Sequence, residues 1–532
     1  MTNENDDANI KYKKITKHCH KRKGEFTMRK LNVTNNSVCI ALSWKSDGAK
    51  ALILGIDEEF RFTEIGQTES SSYIIDKPTD FVGFKVLFTI DDKIIDSTKP
   101  VLLNNKITES TLAVVPIKSF RGYTLNIIGD HVYDFYRIYD MTDDDVEFVM
   151  DSDDFVINSI NFIPDHVYYV EAYNYTDDGE KLMTSSLPMS MFDMQLDFSR
   201  RYGKMKKSPA IDVIIPVYNP GYRLLRCVDS ILTSSFRKLH IILVDDGSTD
   251  KVTKEILMWY ENTHKDEITV IRTENKGVSH ARNVGLHAAK SEWVALIDND
   301  DYVDFHMYEK LYTQAIANNT DIAIAQTVIR EMPGEHLIYN NWDNMPETVI
   351  YNQSQMWNNR GNMANMYFVA VWNKIVKREV ALKTDFPEVE EYGKFIMYED
   401  DAYTPSLYSY IDRFLLVRGA YYCWDKRKQK TTGTASNLHE RDDALDVWKA
   451  YMVANSWGIK HHDEKYANII NHVCLERLLN VFIKMEKCND QRIPAMMIDF
   501  ISNIVNEYDL INDEFMKDEK HINALARIMQ NA

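Results

Sequence analysis

Apolar and polar positions follow three different periodicities along the chain. Residues 31–190 contain short apolar runs that alternate with polar residues and end at Asp, Asn, Gly, Ser or Pro, a pattern typical of β-strands joined by turns. Beyond residue 209, continuous apolar runs alternate with segments of helical spacing, which indicates a parallel α/β sheet. From residue 438 onward, apolar residues recur every three or four positions, which predicts helices.

These changes predict several domains, and a length of 532 residues is also too great for one hydrophobic core. The fold class that we expect is multidomain: N-terminal all-β sandwich modules, a central α/β domain with a Rossmann-like, mostly parallel sheet, and a C-terminal all-α region. The predicted boundaries are a basic disordered tail at 1–30, β-sandwich modules at 31–105 and 106–191, a linker at 192–208, the central domain at 209–437 and the helical region at 438–532.

The second β module contains two segments with a familiar pattern, F-Y-R-I-Y-D at 135–140 and V-Y-Y-V-E-A-Y-N-Y-T-D-D-G at 167–179. They resemble a fibronectin type III module, and the first module repeats the pattern more faintly. Neither segment has catalytic spacing. A rigid spacer and a binding surface are both open interpretations of these modules.

Charge and cysteine content narrow the classes of function. The net charge of −18 argues against nucleic acid or an anionic membrane as the main partner. Six widely separated cysteines indicate neither a disulfide framework nor a zinc site. This cysteine pattern favours a reducing cytosol, with peripheral association with the inner face of the membrane as the alternative. No apolar run approaches the roughly 20 residues of a transmembrane helix, so we expect no transmembrane segment.

Four loops that follow predicted strands carry polar residues, and in a parallel α/β sheet such loops share one crevice. The fourth loop continues the strand W-V-A-L-I and contains Asp298, Asn299, Asp300 and Asp301. Carboxylates this close repel one another unless a cation lies among them, and Mg²⁺ or Mn²⁺ suits such oxygen ligands. In isolation the segment is more typical of a solvated acidic turn. The other three loops are residues 216–221, 244–250 and 275–283.

Residues from about 209 to 440 resemble the family 2 glycosyltransferases. The resemblance covers a little under half of the chain. It implies the GT-A fold and the transfer of a sugar, with inversion, from a nucleotide sugar to a hydroxyl group. The segments that carry it are V-I-I-P-V-Y-N, I-I-L-V-D-D-G-S-T-D, N-K-G-V-S-H-A-R-N-V-G-L, A-L-I-D-N-D-D-Y-V, V-W-N-K-I-V-K-R-E, F-P-E, M-Y-E-D-D-A and Y-Y-C-W-D-K-R-K.

The resemblance implies how the nucleotide is bound. Asp246, or its neighbour Asp245, would recognise the base, which is most often uracil in this family. The backbone at Pro216-Val217-Tyr218 would pack against the same base. Arg282 would face the diphosphate, with Lys276 as the weaker candidate, because cationic groups near a helix N-terminus favour phosphate.

The resemblance also implies a metal site of the D-x-D type. Asp298 and Asp300 would bind Mn²⁺ or Mg²⁺ together with the nucleotide, and Asn299 would stand at the variable middle position of the nucleotide-sugar site. Asp301 would support its neighbours by hydrogen bonding. A histidine sometimes completes the metal shell in such enzymes, and His439 is the nearest candidate.

The residue that accepts a proton from the acceptor would come from Glu399-Asp400-Asp401. By the resemblance, Asp400 is the general base and Glu399 binds or orients the acceptor. The family often has Leu where this chain has Asp401, so a base displaced by one residue stays an alternative. An acidic cluster that merely favours a helix N-terminus is another alternative.

Two further segments complete the implied site. Trp372 would line the sugar-binding site, with a core tryptophan as the equal alternative. Residues 424–436, with Arg427, would form a lid over the diphosphate, with a solvated basic loop as the alternative.

The expected activity is therefore metal-dependent glycosyl transfer, with a UDP-sugar as the favoured donor. The acceptor would be a surface glycan, a teichoic-acid-like polymer, a lipid-linked oligosaccharide or a glycoprotein. An inactive carbohydrate- or protein-binding relative is the main alternative, and nucleotidyl transfer is a second one. The helical C-terminal region could also mediate homo-oligomerisation.

Overall fold

A computed structural model describes the greater part of the chain between residues 28 and 426 and selected residues beyond. The described residues are 28–29, 31–35, 39–44, 49–57, 61–76, 81, 83–90, 93–98, 101–102, 112–129, 132–142, 147–176, 179–332, 335–339, 346–358, 370–388, 399–426, 475, 478–479, 482–483, 498–499, 501–502, 505–506 and 519–531.

The N-terminal half of the described chain is built from β-strands. Strands β1 to β9 are Met28–Arg29, Asn32–Asn35, Cys39–Ser43, Lys50–Ile56, Phe62–Thr68, Ser72–Asp76, Gly83–Ile90, Lys93–Thr98 and Val101–Leu102. Strands β10 to β17 are Ala113–Lys118, Tyr123–Ile128, Phe135–Asp140, Glu147–Ser152, Val156–Ser159, Val167–Thr176, Gly179–Ser185 and Met189–Ser190.

Strands and helices alternate after residue 211. Strands β18 to β27 are Ile211–Val217, Leu239–Asp246, Ile268–Thr273, Trp293–Leu296, Tyr302–Val303, Ile322–Met332, Glu335–Tyr339, Thr348–Asn352, Lys374–Lys377 and Arg413–Asp425. Helices α1 to α9 are Met191–Tyr202, Arg223–Leu232, Lys251–Thr263, Val278–Ala288, Met307–Asn318, Gln353–Asn358, Arg378–Ala381, Glu399–Tyr408 and Glu519–Asn531.

Each of the two N-terminal β regions contains a pair of sheets. In the first module, β1-β8-β7-β4-β5 with β9 form one sheet and β2-β3-β6 form the other. In the second module, β10-β11-β14 form one sheet and β13-β12-β15-β16 with β17 form the other. Alternate apolar side chains from both sheets of each module share one core. The predicted β-rich N-terminal region is therefore confirmed, whereas its likeness to fibronectin type III stays a prediction.

A buried ion pair joins the two β modules. Lys85 Nζ of β7 lies 2.6 Å from Glu171 Oε1 of β15, and both side chains are fully buried. The Lys85 ammonium also donates to Thr98 O at 2.6 Å, and the Tyr173 hydroxyl donates to Glu171 Oε2 at 2.5 Å. Because both charges are paired and hydrogen-bonded, their burial is compatible with a packed interface.

The central domain contains one mixed sheet in the order β20-β19-β18-β21-β26-β23-β27-β22, with β24 beside β23 and β25 beside β27. Strands β20, β19, β18 and β21 are parallel to one another. Strand β26 runs antiparallel to β21 and β23, and β23 pairs in parallel with β27. This arrangement confirms the predicted α/β domain with its mostly parallel sheet.

Burial explains why these segments form the centre of the sheet. All seven residues of β18, including Asp212, are buried, as are all four of β21, so both strands are covered on both faces. Helix α4 packs against β18 and β19, where Gly285 leaves no space for a side chain: a Cβ atom there would lie 2.3 Å from Ile214 Cγ2. Parallel neighbours place the ends of β18, β19 and β21 at one edge of the sheet.

The predicted linker differs from its description, and the predicted C-terminal all-α region is described only in part. Residues 192–208, predicted as a linker, begin with helix α1, whose N-cap Ser190 accepts a hydrogen bond from the Asp193 amide at 3.1 Å. The described residues after 475 are all helical, with α9 the longest continuous piece. The wider all-α region stays a prediction. No helix in the described part of the chain has the length and apolar character needed to span a membrane.

Candidate active site

Loops from the ends of β18, β19 and β21 lie against one another, as the strand order predicts. The Asn299 side-chain amide donates to Pro216 O at 2.7 Å, which joins the D-x-D segment to the end of β18. Asn219, with a positive φ of 50°, accepts hydrogen bonds from Thr249 N at 2.8 Å and Asp250 N at 3.0 Å. These contacts fix the first, second and fourth predicted loops as a single edge.

The two carboxylates at the end of β19 are tied into the loop structure. Asp245 accepts from Ser248 N at 2.9 Å. Asp246 accepts from Lys276 N and Gly277 N, each at 2.9 Å, and so connects β19 to the start of α4. Burial raises the pKa of Asp246, although these two backbone donors oppose the shift.

Gly247 makes the close approach of these loops feasible. Its φ of +71° lies in the left-handed region, and a Cβ atom there would lie 2.8 Å from the backbone N of Asn275. Any larger residue would therefore push the second and third loops apart. The glycine of the D-D-G segment is therefore required by the backbone conformation and by the close approach of the two loops.

The acidic residues after β21 have unequal surroundings. Asp298 exposes 33% of its side chain and Asp300 exposes 29%, while Asp301 is buried. Asp301 accepts hydrogen bonds from the Tyr422 hydroxyl at 2.6 Å and the Asp425 amide at 2.9 Å, which fits the supporting role expected for it. Burial, followed by the negative charge of Asp298, raises the pKa of Asp300 to about 6.

Arg282 connects the two acidic segments of the site. Its guanidinium donates to Asp298 Oδ1 at 2.8 Å and to Glu399 Oε1, and its side chain is only 5% exposed. Burial lowers the pKa of Arg282, but the charges of Glu399, Asp298 and Asp400 outweigh burial and raise it above its ordinary value. Arg282 therefore remains charged and holds the end of β21 beside the start of α8.

A second set of contacts anchors helix α4 to the F-P-E segment. Asn283 Nδ2 donates to Phe386 O and to Glu388 Oε1, both at 2.9 Å, and His280 Nδ1 lies 3.1 Å from Glu388 Oε2. The Arg282 guanidinium also lies over the Phe386 ring, 5.3 Å from its centroid. The adjacent residues of the H-A-R-N segment thus fix both the orientation of Arg282 and the loop opposite it.

Glu399 and Asp400 are the first two described residues of α8. Glu399 is engaged by Arg282, whereas Asp400 is partly exposed and contributes negative charge at both Arg282 and Lys374. Lys374 is buried, donates to Ala370 O and to the Tyr408 hydroxyl, and burial lowers its pKa to about 7. The side chain of Asp401 lies outside the described residues, so the alternative register of the base stays open.

The acidic residues after β21 can be compared with the ligands that a metal ion requires. Among the side chains that the structure describes, no three His, Cys, Asp or Glu residues are arranged to hold a metal ion. Asp298 and Asp300 are nevertheless two accessible carboxylates, and Arg282 engages Oδ1 of Asp298. Mg²⁺ is commonly held by one or two carboxylates, with substrate phosphates and water completing the shell. The donor set fits this arrangement, and not a closed cage of protein ligands.

The remaining predicted residues divide into three groups. Tyr218 and Lys276 are exposed at the edge of the site, and Val217 is buried in the sheet. Trp372 is 7% exposed and stacks on Tyr422 at 4.3 Å between ring centroids, a placement expected of a core tryptophan; contact with a sugar stays a prediction. Arg427 and His439 lie outside the described residues.

Sequence reasoning missed several side chains that surround the D-x-D segment. Arg223 of α2 lies 3.5 Å from Asp300 Oδ2, and Arg226 of the same helix pairs with Asp425. Tyr422 and Asp425 both belong to the segment Y-Y-C-W-D-K-R-K, which carries part of the resemblance but in which Arg427 was the residue assigned to the site. Neither residue has a local sequence signal for its contacts with the D-x-D segment.

Comparison with known proteins assigns a family to the middle of the chain. Residues 212–374 match the model of glycosyl transferase family 2. Glycosyltransferase GlyG of Streptococcus pneumoniae is 28% identical over 247 residues, which cover 45% of this chain and 79% of GlyG. Glycosyltransferase GlyA of the same species is 29% identical over 265 residues, which cover 49% of this chain and 37% of GlyA. The present chain therefore spans well under half the length of GlyA.

Among the solved structures that the chain matches is that of Staphylococcus aureus TarS 1-349 in complex with UDP-GlcNAc. It has a TM-score of 0.41 and 15% identity, and the match covers 60% of this chain and 92% of TarS 1-349.

Residues 212–374 are thus similar to glycosyl transferase family 2, and they lie within the domain that contains the mixed, mostly parallel sheet. The protein is an enzyme of the glycosyltransferase class. The matched segment contains the loops around Asp246, Arg282 and Asp298, whereas Glu399 and Asp400 lie beyond it.

Proposed function

We propose that this enzyme transfers a sugar from a nucleotide sugar, with UDP as the nucleotide, to a hydroxyl group of a glycan acceptor in a metal-dependent, inverting reaction. The observation that carries the proposal is the pairing of one buried guanidinium, that of Arg282, with both Asp298 and Glu399. These carboxylates belong to segments more than 100 residues apart, and the pairing brings both to a single site.

Asp298 and Asp300 are the residues that would hold Mn²⁺ or Mg²⁺. When bound there, the cation would stabilise the negative charge that develops on the leaving diphosphate. Burial and, after it, the negative charge of Asp298 raise the pKa of Asp300, and a cation between the two carboxylates would relieve the repulsion between them. Arg223, 3.5 Å from Asp300, adds a cationic group on the same side.

Asp400 is the proposed general base. Inversion in one displacement requires a group that removes the proton from the acceptor hydroxyl as that oxygen attacks the anomeric carbon. Glu399 is already engaged in an ion pair with Arg282 and is therefore the less available of the two carboxylates. Asp400 follows it on the first turn of α8 and is partly exposed, so it can meet an acceptor that approaches from solvent.

The preference for uracil rests on Asp245 and Asp246. A carboxylate can accept the N3–H of uracil, whereas cytosine has no hydrogen at that nitrogen. Each oxygen of Asp246 already accepts one backbone N–H, which orients the group and leaves acceptor capacity on each oxygen. Exposed Tyr218 lies in the loop after β18 and would cover one face of the base.

The proposed acceptors are a surface glycan, a teichoic-acid-like polymer or a glycoprotein. An inactive binding protein would have no need for the acidic residues at both ends of the site, and all of them are present. Their charged environment, with Arg282 fixed between them, supports catalysis over binding alone.

The test is a panel of UDP-, GDP- and CDP-sugars, assayed for hydrolysis and for transfer with Mn²⁺, with Mg²⁺ and with a chelator. We expect turnover of a UDP-sugar that the chelator abolishes and Mn²⁺ restores. Undiminished turnover in the presence of the chelator would contradict the proposed metal dependence. Absence of binding to every nucleotide sugar would remove the transferase reaction itself and favour the inactive binding protein.

A further inference from the structure

One face of helix α2 and its flanking residues docks the second β module. The residues of this face are separated by four, three and four positions, so they line one side of a helix. They are Tyr222, Arg226, Asp229 and Thr233. Their partners in the second module are, in the same order, Arg121, Asp154, the pair Ser119 and Thr124, and Asn126.

The two domains also share an apolar core. Tyr302, Val328 and Cys423 of the central domain pack among the buried residues of the second module, and the Tyr302 ring lies 5.1 Å from that of Phe155. A module that were only a spacer would need no such joint core. The second β module is therefore packed firmly against the region that contains the D-x-D segment.

Asp154 connects the second module to residues that adjoin the D-x-D segment. It lies between β13 and β14, and its Oδ2 accepts from Arg226 Nη1 at 2.8 Å. Its Oδ1 accepts from the Tyr302 hydroxyl at 2.7 Å, and Tyr302 follows Asp301 directly. Each oxygen of this one carboxylate thus binds a different segment of the site's framework.

Arg226 continues the connection into the site. Its Nη2 donates to the carboxylate of Asp425 and lies 3.4 Å from the backbone O of Asp300. The Arg226 guanidinium also lies 4.6 Å from the centroid of the Tyr302 ring. Without the positive charge of Arg226, the Asp425 carboxylate would add to the repulsion around Asp300.

We propose that Asp154 of the second β module is a positioning residue for the D-x-D segment. By holding Arg226 and Tyr302 together, it fixes the backbone of Asp300 and the strand that follows Asp301, and so sets the distance between the two metal-binding carboxylates. The inference rests on the proposed function, because it assigns the second module a part in metal and donor binding. The second β module is then a component of the active site's framework.

The test compares Asp154→Asn with Asp165→Asn, a change at an exposed carboxylate of the same module that makes none of these contacts. Two quantities are measured: the dissociation constant of Mn²⁺, from the electron paramagnetic resonance signal of free Mn²⁺, and the KM for the nucleotide sugar. We expect Asp154→Asn to raise both by about tenfold, the lower end of the effect of residues that orient metal ligands. Asp165→Asn should change neither.

A KM-against-kcat comparison separates positioning from general loss of structure. Partial unfolding would reduce the fraction of active enzyme, and hence kcat, while KM and the Mn²⁺ dissociation constant stayed the same; that result, or equality of the two variants, would overturn the inference.

If Asp154→Asn does not fold, the variant Tyr302→Phe tests the inference instead, because it removes only the hydroxyl group that donates a hydrogen bond to Asp154. We expect a smaller weakening of Mn²⁺ binding, roughly threefold, and an unchanged constant would overturn the inference.

The readouts also keep the two proposals apart. Wild-type protein that binds Mn²⁺ but turns over no nucleotide sugar would contradict the proposed function, while the Mn²⁺ constants of the variants would still decide the role of Asp154. If the Asp154→Asn variant turns over a UDP-sugar with the KM and the Mn²⁺ dissociation constant of wild type, the proposed function stands and the role of Asp154 is contradicted.

Discussion

Asp229 on α2 and Asp300 after β21 are both carboxyl groups whose pKa burial raises to about 6, but their neighbours differ. Asp229 is fully buried and accepts hydrogen bonds from the hydroxyls of Ser119, Thr124 and Tyr260 at 2.5 to 2.8 Å. Asp300 is partly open to solvent and has the like charge of Asp298 beside it.

The difference separates a structural carboxyl group from a functional one. Three hydroxyl donors satisfy Asp229, so it stabilises the interface between the second β module and α2. Asp300 has solvent access and lies beside the like charge of Asp298, which Arg223 offsets only in part; this arrangement costs stability unless a cation or ligand joins it. A raised pKa alone does not distinguish the two, whereas the identity of the neighbours does.

The largest effect is expected from Asp400→Asn. The substitution preserves the shape of the side chain but removes the carboxylate that would take the proton from the acceptor hydroxyl. The rate of transfer should therefore fall by about 10²- to 10⁴-fold. Steady-state transfer and donor binding are to be measured on the same protein. The binding of the nucleotide sugar should stay within about threefold of wild type, because Asp298, Asp300 and Arg282 are untouched.

Glu399→Gln provides the matched control for the assignment of the base. It breaks the pair with Arg282, so we expect it to weaken donor binding as well as turnover. If Asp400→Asn retains full transfer with normal donor binding, Asp400 is not the base.

The next largest effect is expected from Asp300→Asn, which tests the functional side of the comparison directly. Removal of a residue that orients a metal ligand typically lowers metal affinity or activity by about 10- to 100-fold. Loss of a ligand itself should therefore lower turnover by about a hundredfold or more. The melting temperature should be unchanged or higher, because one negative charge leaves a crowded group. The same change at Asp229 should give the opposite pattern, with turnover within about threefold and a lower melting temperature. If the two variants behave alike, the distinction between the carboxyl groups is wrong.

Local sequence was enough to predict the sheet and the loops at its edge. The apolar residues of β18 and β21 need burial on both faces, and the D-D-G turn needs Gly247. A few consecutive residues are therefore enough to predict the buried strands and the tight turn. Helix α1 was also within reach, since Ser190 and Asp193 form a capping pair that was not used in the prediction.

The connection between the second β module and the site could not be predicted in this way. Arg226 lies 72 residues from Asp154 and 199 residues from Asp425. The helical spacing of α2 identifies which positions share a face but not that this face meets carboxylate and hydroxyl groups of another module. The spacer interpretation of the modules failed to anticipate the core shared with Tyr302 and Cys423 for the same reason.

A smaller effect, on stability alone, is expected from Asp229→Ala at pH 5. The change leaves three buried hydroxyl groups without their common acceptor, and we expect the free energy of unfolding to fall by about 2 to 3 kcal/mol. Denaturant titration of the whole chain measures this loss, with Asp165→Ala as the exposed control from the second module. A loss no greater than that of the control would mean that water or other groups replace the carboxylate, and that Asp229 does not anchor the interface.

The smallest expected effect is the change of that loss with pH. The folded-state pKa of Asp229, about 6, lies above the ordinary 3.8 of an unfolded Asp, so the folded protein binds the proton more tightly. The stabilisation from this proton is complete below pH 4 and is lost as the pH rises through 6. The free energy lost on Asp229→Ala should therefore shrink by about 1 to 2 kcal/mol between pH 5 and pH 7. Paired denaturant titrations of wild type and variant measure this difference; a loss that grows with pH would show that the hydroxyl donors stabilise the charged form more than burial opposes it.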